Sequence, residues 1–170
     1  DCRVLVCGGT GCLASGSGKI YEKLKELTKD HTGVEVKIGE EIAHTKVMKS
    51  GCHGFCEMGP LVRIEPYNYL YIKVKLEDCE EIYNETILGG RPVERLLYKM
   101  DGVTYPSQEE IPFYAKQTRL VLKNCGHIDA EHIGGALAVG AYAGIEKALF
   151  EMTPEAVIQT IYDSNLRGRG

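Results

Sequence analysis

The chain has 170 residues, of which 44% are apolar and 26% are charged, a balance typical of one or two globular domains. Its formal net charge of −4 argues against a general nucleic-acid binder, and we expect no nucleic-acid partner. Because the longest apolar stretch, residues 134–145, is too short to span a bilayer and the first residues lack a signal-peptide pattern, we expect a cytoplasmic protein without membrane insertion.

The N-terminal part alternates strand and helix signals. The apolar run at residues 3–7 predicts a buried strand. A glycine-rich loop follows, and a helix is expected from Ser17, with Ile20 and Leu24 on its apolar face. The β-rich sequence VEVKIGEEI, residues 34–42, predicts a second strand, and TKVMKSG, residues 45–51, predicts another short strand or the approach to the next loop.

A hairpin and a helix are predicted next. LVRIEP and YLYIKV, residues 61–66 and 69–74, are separated by two residues, which favours a β-hairpin. Residues 77–90 predict a helix that begins with a capping box formed by Asp78 and Glu81. The order of elements predicts an α/β (α+β) domain, with a parallel strand–helix–strand start and an antiparallel edge.

The C-terminal part has a different character. Residues 99–112 combine an Asp-Gly turn with two prolines and predict a linker between a first domain, residues 1–98, and a mainly helical segment, residues 113–170. In that segment TPEAVIQTIYDSN predicts a helix with Thr153 at its cap and Pro154 in its first turn. The same pattern predicts that Val157, Ile158 and Ile161 face inward.

Four of the seven cysteines form two pairs beside glycines. Cys7 and Cys12 bracket a glycine-rich loop after the first strand, and Cys52 and Cys56 lie in a second such loop. An odd number of cysteines excludes a disulfide framework that uses them all. In a reducing compartment, clustered cysteines more often bind metal or carry out redox chemistry.

Three chemistries compete for the first loop. Residues 9–14 fit a G-x-G-x-x-A phosphate loop. In such loops the helix begins at the third small residue, whereas the helix expected here begins several residues later, at Ser17. A thioredoxin-type dithiol requires cysteines separated by two residues, whereas four separate Cys7 from Cys12. A metal site uses both pairs. Four thiolates suit Zn²⁺ or an iron–sulfur cluster, and the wide spacing favours a [2Fe-2S] cluster over zinc without excluding zinc.

CGGTGC together with GCHGFCEMGP resembles the thioredoxin-like [2Fe-2S] ferredoxin domain. This domain also occurs at the N-terminus of flavin-bearing NADH-oxidising subunits of NAD(P)-linked, including electron-bifurcating, [FeFe]-hydrogenases. The segments QTRLVLKNCGHIDAEHI and EMTPEAVIQTIYDSNLRGRG are similar to the opening of the complex I flavoprotein subunit. The resemblance implies a thioredoxin-like fold in residues 1–98, a linker in residues 99–112, and the truncated start of an FMN- and NADH-binding domain in residues 113–170.

The resemblance also implies roles for residues. Cys7, Cys12, Cys52 and Cys56 would ligate the [2Fe-2S] cluster, while Gly168, Arg169 and Gly170 match the start of a loop that binds FMN and NAD(P). The implied function is one-electron relay in a multisubunit NAD(P)H-dependent oxidoreductase. Its partners would be flavin and iron–sulfur subunits, and a ferredoxin is a further candidate. Because the sequence stops at the flavin loop, we expect no complete active site in this chain.

Two other functions remain open. The first is a structural or docking module held together by zinc or a cluster, and the second is a free-standing thioredoxin-like redox protein. Cys2, Cys79 and Cys125 have no role in the four-cysteine scheme, and Cys79 is expected in the core. His53 lies between the second pair of cysteines, where we expect a solvent-facing or hydrogen-bonding role rather than ligation.

Overall fold

The computed structural model describes residues 2–29 and 46–168. The chain divides into two compact units, Asp1–His132 and Ile133–Gly170. The strand predicted at residues 34–42 lies outside the described residues, as do Arg169 and Gly170 of the predicted flavin loop.

The first unit contains six described strands and four described α-helices, joined by 3₁₀ turns. The strands are β1 (Arg3–Cys7), β2 (Lys46–Ser50), β3 (Val62–Glu65), β4 (Tyr69–Tyr71), β5 (Tyr98–Met100) and β6 (Val103–Tyr105). The helices are α1 (Thr10–Ala14), α2 (Ser17–Thr28), α3 (Cys79–Glu81, continued by a π-helix at Ile82–Leu88) and α4 (Pro112–Ala115). The 3₁₀ turns are Cys56–Met58, Leu76–Asp78, Glu94–Leu96 and Gln108–Glu110. This mixture of strands and helices confirms the predicted α/β class.

The main sheet has the strand order β2-β1-β3-β4. β1 runs parallel to β2 and antiparallel to β3, and β3 pairs antiparallel with β4. The predicted hairpin is therefore confirmed, and TKVMKSG contains a strand. In the β1–β2 register Cys7 lies opposite Ser50, so the first cysteine and the start of the second cysteine loop lie at the same end of the sheet.

β1 lies inside the main sheet, between β2 and β3. Val4, Leu5 and Val6 are almost fully buried, as expected for a strand that has a hydrogen-bonded neighbour on each side. Helix α2 buries Ile20 and Leu24 in the same core, as the spacing of its apolar residues predicts. The cysteine loops therefore extend from the end of a well-packed sheet.

Helix α3 begins differently from the prediction. Asp78 does not form a capping box with Glu81. Its carboxylate instead closes the preceding 3₁₀ turn by accepting a 2.7 Å hydrogen bond from the Lys75 backbone N–H, and it accepts a second from Arg95 Nη2 at 2.7 Å. A buried carboxylate requires such donors, and the arginine is supplied by a turn 17 residues further along the chain.

The region predicted as a linker contains ordered structure that packs on the first unit. β5 and β6 form a two-stranded sheet within residues 99–112 and their flanks. Ile111 is fully buried, and with Tyr114 it joins a second core cluster that includes Cys7, Cys12 and Phe55. The compact unit accordingly extends to His132, because these apolar side chains cover the cysteine end of the sheet.

The second unit contains α5 (Ile133–Ala138), α6 (Ala143–Glu151) and α7 (Pro154–Asp163). Thr153 caps α7 as predicted, since its hydroxyl accepts a hydrogen bond from the Ala156 N–H at 3.3 Å. The prediction that Ile158 and Ile161 face inward is wrong within the described residues. Both side chains are exposed, because no described element covers that helix face. No helix in the described ranges is long and apolar enough to cross a membrane.

Candidate metal centre

The four paired cysteines lie on the loops that leave β1 and β2. Cys7 is the last residue of β1, and Cys12 lies in the short helix α1. Cys52 follows β2, and Cys56 begins the 3₁₀ turn Cys56–Met58. Because β1 and β2 are parallel neighbours, their carboxyl ends share one edge of the sheet, and both cysteine pairs start from that edge.

Within each cysteine pair, one thiol raises the pKa of the other. Burial raises the pKa of Cys12 to about 12, and a hydrogen bond with Cys7 and the Cys7 charge act in the same direction. The Cys52 charge raises the pKa of Cys56, and a hydrogen bond with Cys52 and slight burial add to it. The charge of Cys7 also acts on Cys56, so the pairs are electrostatically linked across the loops.

Glycines let the loops approach the sulfurs. A Cβ built on Gly9 would lie 3.0 Å from Cys52 Sγ, and one built on Gly59 would lie 2.7 Å from Cys12 Sγ. Gly11 likewise faces Cys56, whose Sγ would be 3.6 Å from an added Cβ. The first loop therefore lies directly against the second pair of cysteines, at positions where a side chain would occupy the space of a sulfur.

The donor set fits a binuclear sulfide core. The four cysteines lie on two loops that approach each other closely at Gly9 and Gly59, although within residues 2–29 and 46–168 no three His, Cys, Asp or Glu side chains form a ready-made site for one metal ion. Four cysteine thiolates are the usual ligands of a [2Fe-2S] cluster. Cys7 with Cys12 could hold one iron, and Cys52 with Cys56 the other.

Backbone N–H groups already point at this site. The Gly54 N–H donates to Cys52 Sγ at 3.3 Å, and a backbone hydrogen bond at Leu61 opposes the rise in the Cys12 pKa. Donors of this kind stabilise thiolate ligands and affect the potential of a cluster. These backbone hydrogen bonds favour the thiolate form of Cys52 in one pair and of Cys12 in the other.

His53 is buried beside the site and is fully hydrogen-bonded. Its Nε2 lies 2.8 Å from Ser50 Oγ, and its Nδ1 lies 3.0 Å from Gln108 Oε1. Burial lowers the pKa of His53 to about 4, although the Gln108 hydrogen bond opposes this shift. The expectation of a hydrogen-bonding role is confirmed, and a solvent-facing position is wrong because both ring nitrogens hold partners inside the protein.

The three remaining cysteines lie in different surroundings. Cys79 is fully buried in the main core, as predicted, and burial raises its pKa to about 11. Cys2 is half-buried at the edge of the same core. Cys125 is half-buried too, and its Sγ would lie 3.2 Å from a Cβ built on Gly51, next to the ligand candidate Cys52.

Aromatic rings cover one side of the second loop. Phe55, which lies between Cys52 and Cys56, stacks on Phe113 with 4.5 Å between ring centroids and 10° between ring planes. Tyr114 meets Phe55 edge-on at 5.5 Å. Cys56 itself is exposed, whereas Cys7 and Cys12 are buried. The site is therefore open on the Cys56 side and closed on the Cys7 side.

Gly168 ends the described part of the second unit, and no atom lies within 4 Å of the position that its Cβ would take. The flavin-loop assignment to Gly168, Arg169 and Gly170 therefore stays a prediction.

Three residues that contact or approach the second cysteine loop were not predicted from the sequence: Ser50, Gln108 and Arg119. Aligning the predicted strands β1 and β2 would have placed Ser50 opposite Cys7, and hence close to the site. Gln108 and Arg119 carry no local signal.

The known proteins that are similar to this chain are of two kinds. Residues 1–86 match the thioredoxin-like [2Fe-2S] ferredoxin family. A 2Fe-2S ferredoxin of Aquifex aeolicus (strain VF5) is 32% identical over 87 residues, covering 51% of this chain and 71% of the ferredoxin. The crystal structure of the wild-type thioredoxin-like [2Fe-2S] ferredoxin from Aquifex aeolicus has a TM-score of 0.45 at 30% identity, covering 58% of this chain and 97% of that one.

A second kind of relative is a much larger protein. The NADP-reducing hydrogenase subunit HndC of Solidesulfovibrio fructosivorans is 46% identical over 55 residues. This match covers 32% of the present chain and only 11% of the hydrogenase subunit. With half of its length matched by one family, the chain belongs to the thioredoxin-like [2Fe-2S] ferredoxins.

Proposed function

We propose that this chain is a one-electron relay within a multisubunit NAD(P)H-dependent oxidoreductase, where it exchanges electrons with a flavin and with iron–sulfur clusters of partner subunits. The observation that carries the proposal is the meeting of two cysteine pairs at one sheet edge, with Gly9 against Cys52 and Gly59 against Cys12. When bound, a [2Fe-2S] cluster supplies one-electron transfer at low potential.

The residues of the chain have separate tasks in this proposal. Cys7 and Cys12, which are buried, would hold one iron, and Cys52 and the exposed Cys56 would hold the other. The Gly54 N–H stabilises the Cys52 thiolate through its 3.3 Å hydrogen bond. No residue is required to move a proton, because the reaction transfers electrons only.

The exposure of the cysteines suggests the side from which electrons enter and leave. Cys56 is exposed, and Phe55 and Phe113 form a stacked pair beside it. Cys7 and Cys12 are buried members of the second core cluster. We therefore assign the surface around Cys56 as the face that approaches a redox partner.

The hydrogenase-type assembly is the finer part of the proposal. Its support is the similarity to HndC, an NADP-reducing hydrogenase subunit, over 11% of that subunit. The present chain would supply the cluster domain, while FMN and NAD(P) would bind to the complete subunit through a loop that begins at Gly168, Arg169 and Gly170. Iron–sulfur and flavin subunits are the expected partners.

The cluster assignment is tested by analysing the metal content of the full chain after anaerobic purification. We expect equal amounts of iron and acid-labile sulfide, and an electron paramagnetic resonance signal after reduction. Cys56→Ala should lose most of the cluster, because one iron then lacks a protein ligand. Cys2→Ala, which changes a half-buried cysteine outside the two loops, is the matched control and should retain it. Stoichiometric zinc without sulfide would overturn the assignment.

The relay role is tested in the native complex. Adding NADPH or NADH anaerobically to the complex should reduce the cluster, and the same resonance signal should appear within the time of one catalytic turnover. Mass spectrometry of the co-purifying chains should find flavin- and cluster-containing subunits. A cluster that neither nucleotide reduces would contradict the relay and favour a structural role.

A further inference from the structure

The segment that follows the matched family domain folds back onto the second cysteine loop. The family match ends at residue 86, and we call residues 107–131 the cap segment. Gln108 of this segment lies 3.0 Å from His53 Nδ1, and a Cβ on Gly126 would lie 2.8 Å from the same ring. The Ala130 N–H donates to Lys49 O at 2.9 Å. Contacts near both ends of the cap segment therefore fix it against the loop.

Arg119 of the cap segment brings a positive charge to this loop. A Cβ built on Gly54, which lies between Cys52 and Cys56, would be 4.0 Å from Arg119 Nη2. That nitrogen is inaccessible to solvent and has no hydrogen-bond partner in the described part of the chain. Its guanidinium carbon lies 6.0 Å from the centroid of the Tyr114 ring, a cation–π distance that helps to hold it.

An acidic side chain that lines the same cavity as Arg119 is engaged by other partners. Glu109, which lines the same 350 Å³ cavity, is engaged by Arg63 Nη1 at 3.1 Å and by Asn68 Nδ2 at 2.8 Å. A half-buried cation whose Nη2 is shielded from solvent interacts with a nearby negative charge more strongly than an exposed one, because the protein screens it less than water does. The four thiolates of the proposed cluster are such a charge.

Reduction adds one negative charge to the cluster, so a nearby cation stabilises the reduced state more than the oxidised state. We propose that Arg119, held over Gly54 by the cap segment, is a positioning residue that raises the reduction potential of the cluster. The proposal rests on the cluster assigned under the proposed function, and it concerns a side chain outside the matched family region.

The test is a redox titration of the full chain followed by electron paramagnetic resonance. At a fixed solution potential, Arg119→Gln and Arg119→Met should lower the ratio of reduced to oxidised cluster by about threefold to tenfold, given the Coulomb energy of partly buried charges. A tenfold change corresponds to about 59 mV for one electron. Arg119→Lys keeps the charge and should restore most of the ratio.

Arg91→Gln is the matched control. It removes the same charge from an exposed arginine that pairs with Glu85 at 2.9 Å, so the ratio should stay within about a factor of two of the wild-type value. An unchanged ratio in both neutral Arg119 variants, with full cluster content, overturns the inference. Cluster loss in both neutral variants, combined with a ratio in Arg119→Lys at least about threefold below wild type, also overturns it, because keeping the charge would then fail to keep the ratio.

This test separates the inference from the proposed function. If the wild-type chain contains no iron and sulfide, the cluster assignment itself fails before any variant is compared. If all variants contain the cluster but titrate alike, the cluster assignment stands and only the role of Arg119 fails.

Discussion

The smallest features that shape the site are glycines in contact with sulfur. Gly9 and Gly59 lie where a single added carbon would come within 3.0 and 2.7 Å of Cys52 Sγ and Cys12 Sγ. Contacts this short are not tolerated without movement of the backbone or of the cysteine. The loops can therefore reach the sulfurs only because these positions carry no side chain.

Gly59→Ala tests this point at the buried pair. The new methyl group would displace Cys12, so we expect the iron content per chain to fall by about half or more, given how sensitive a close-packed site is to one methyl group. The measurement is iron and sulfide analysis together with visible absorption. Gly18→Ala in α2, where the nearest atom would be 3.9 Å away, should leave the cluster intact. Equal cluster content in the two variants would contradict this reading of the loop.

At the scale of elements, the start of α3 depends on Asp78. The carboxylate is buried and accepts hydrogen bonds from the Lys75 N–H and from Arg95. It thereby connects the 3₁₀ turn Leu76–Asp78 and the start of α3 with the 3₁₀ turn Glu94–Leu96. The same helix widens into a π-helix at Ile82–Leu88, where Thr86 accepts or donates a 2.6 Å hydrogen bond with the Tyr71 hydroxyl.

Asp78→Ala should destabilise the first unit. It removes the acceptor of a partly buried backbone N–H and one partner of Arg95, which costs about 1–3 kcal/mol of the free energy of unfolding. Urea unfolding followed by circular dichroism should give a lower midpoint with an unchanged slope. Glu77→Ala changes an adjacent exposed carboxylate, 75% accessible, and should shift the free energy by less than about 0.5 kcal/mol. Similar shifts in both variants would show that Asp78 is not a structural junction.

At the scale of the whole molecule, the first unit is larger than the matched ferredoxin domain. Residues 99–132 supply Ile111 and Tyr114 to the core that covers Cys7 and Cys12, and they supply Gln108 to His53. The second unit exposes apolar side chains along α6 and α7, including Leu149, Phe150 and Ile158. The two units therefore differ in how completely each buries its own apolar residues.

Truncation distinguishes the two possible boundaries. A chain ending at residue 132 should keep the iron content and the urea midpoint of the first unit. A chain ending at residue 98 should have a free energy of unfolding lower by at least about 2 kcal/mol, because burial of Ile111 alone contributes about that much. Its urea midpoint should fall accordingly. Iron analysis and urea unfolding of the two chains give the comparison. Equal stability would place the boundary at the predicted linker.

Local patterns were sufficient for much of the fold. The strand at Arg3–Cys7, the hairpin of β3 and β4 and the cap at Thr153 depend on residues close in sequence. Alternation of apolar residues and turn chemistry encode such elements directly. The pairing of cysteines with glycines is equally visible, since each loop carries its own pair. The sequence by itself therefore determined the family, the class of fold and the candidate ligands.

Only the tertiary structure identified the surroundings of those ligands. His53 and Gln108 are 55 residues apart, and Arg119 reaches Gly54 from a region predicted to lie beyond a linker. The role of Asp78 likewise required Arg95, 17 residues away. No periodicity or motif encodes such contacts, because they depend on how elements pack after they form. The fold alone decides which charges and hydrogen bonds act on the cysteine loops.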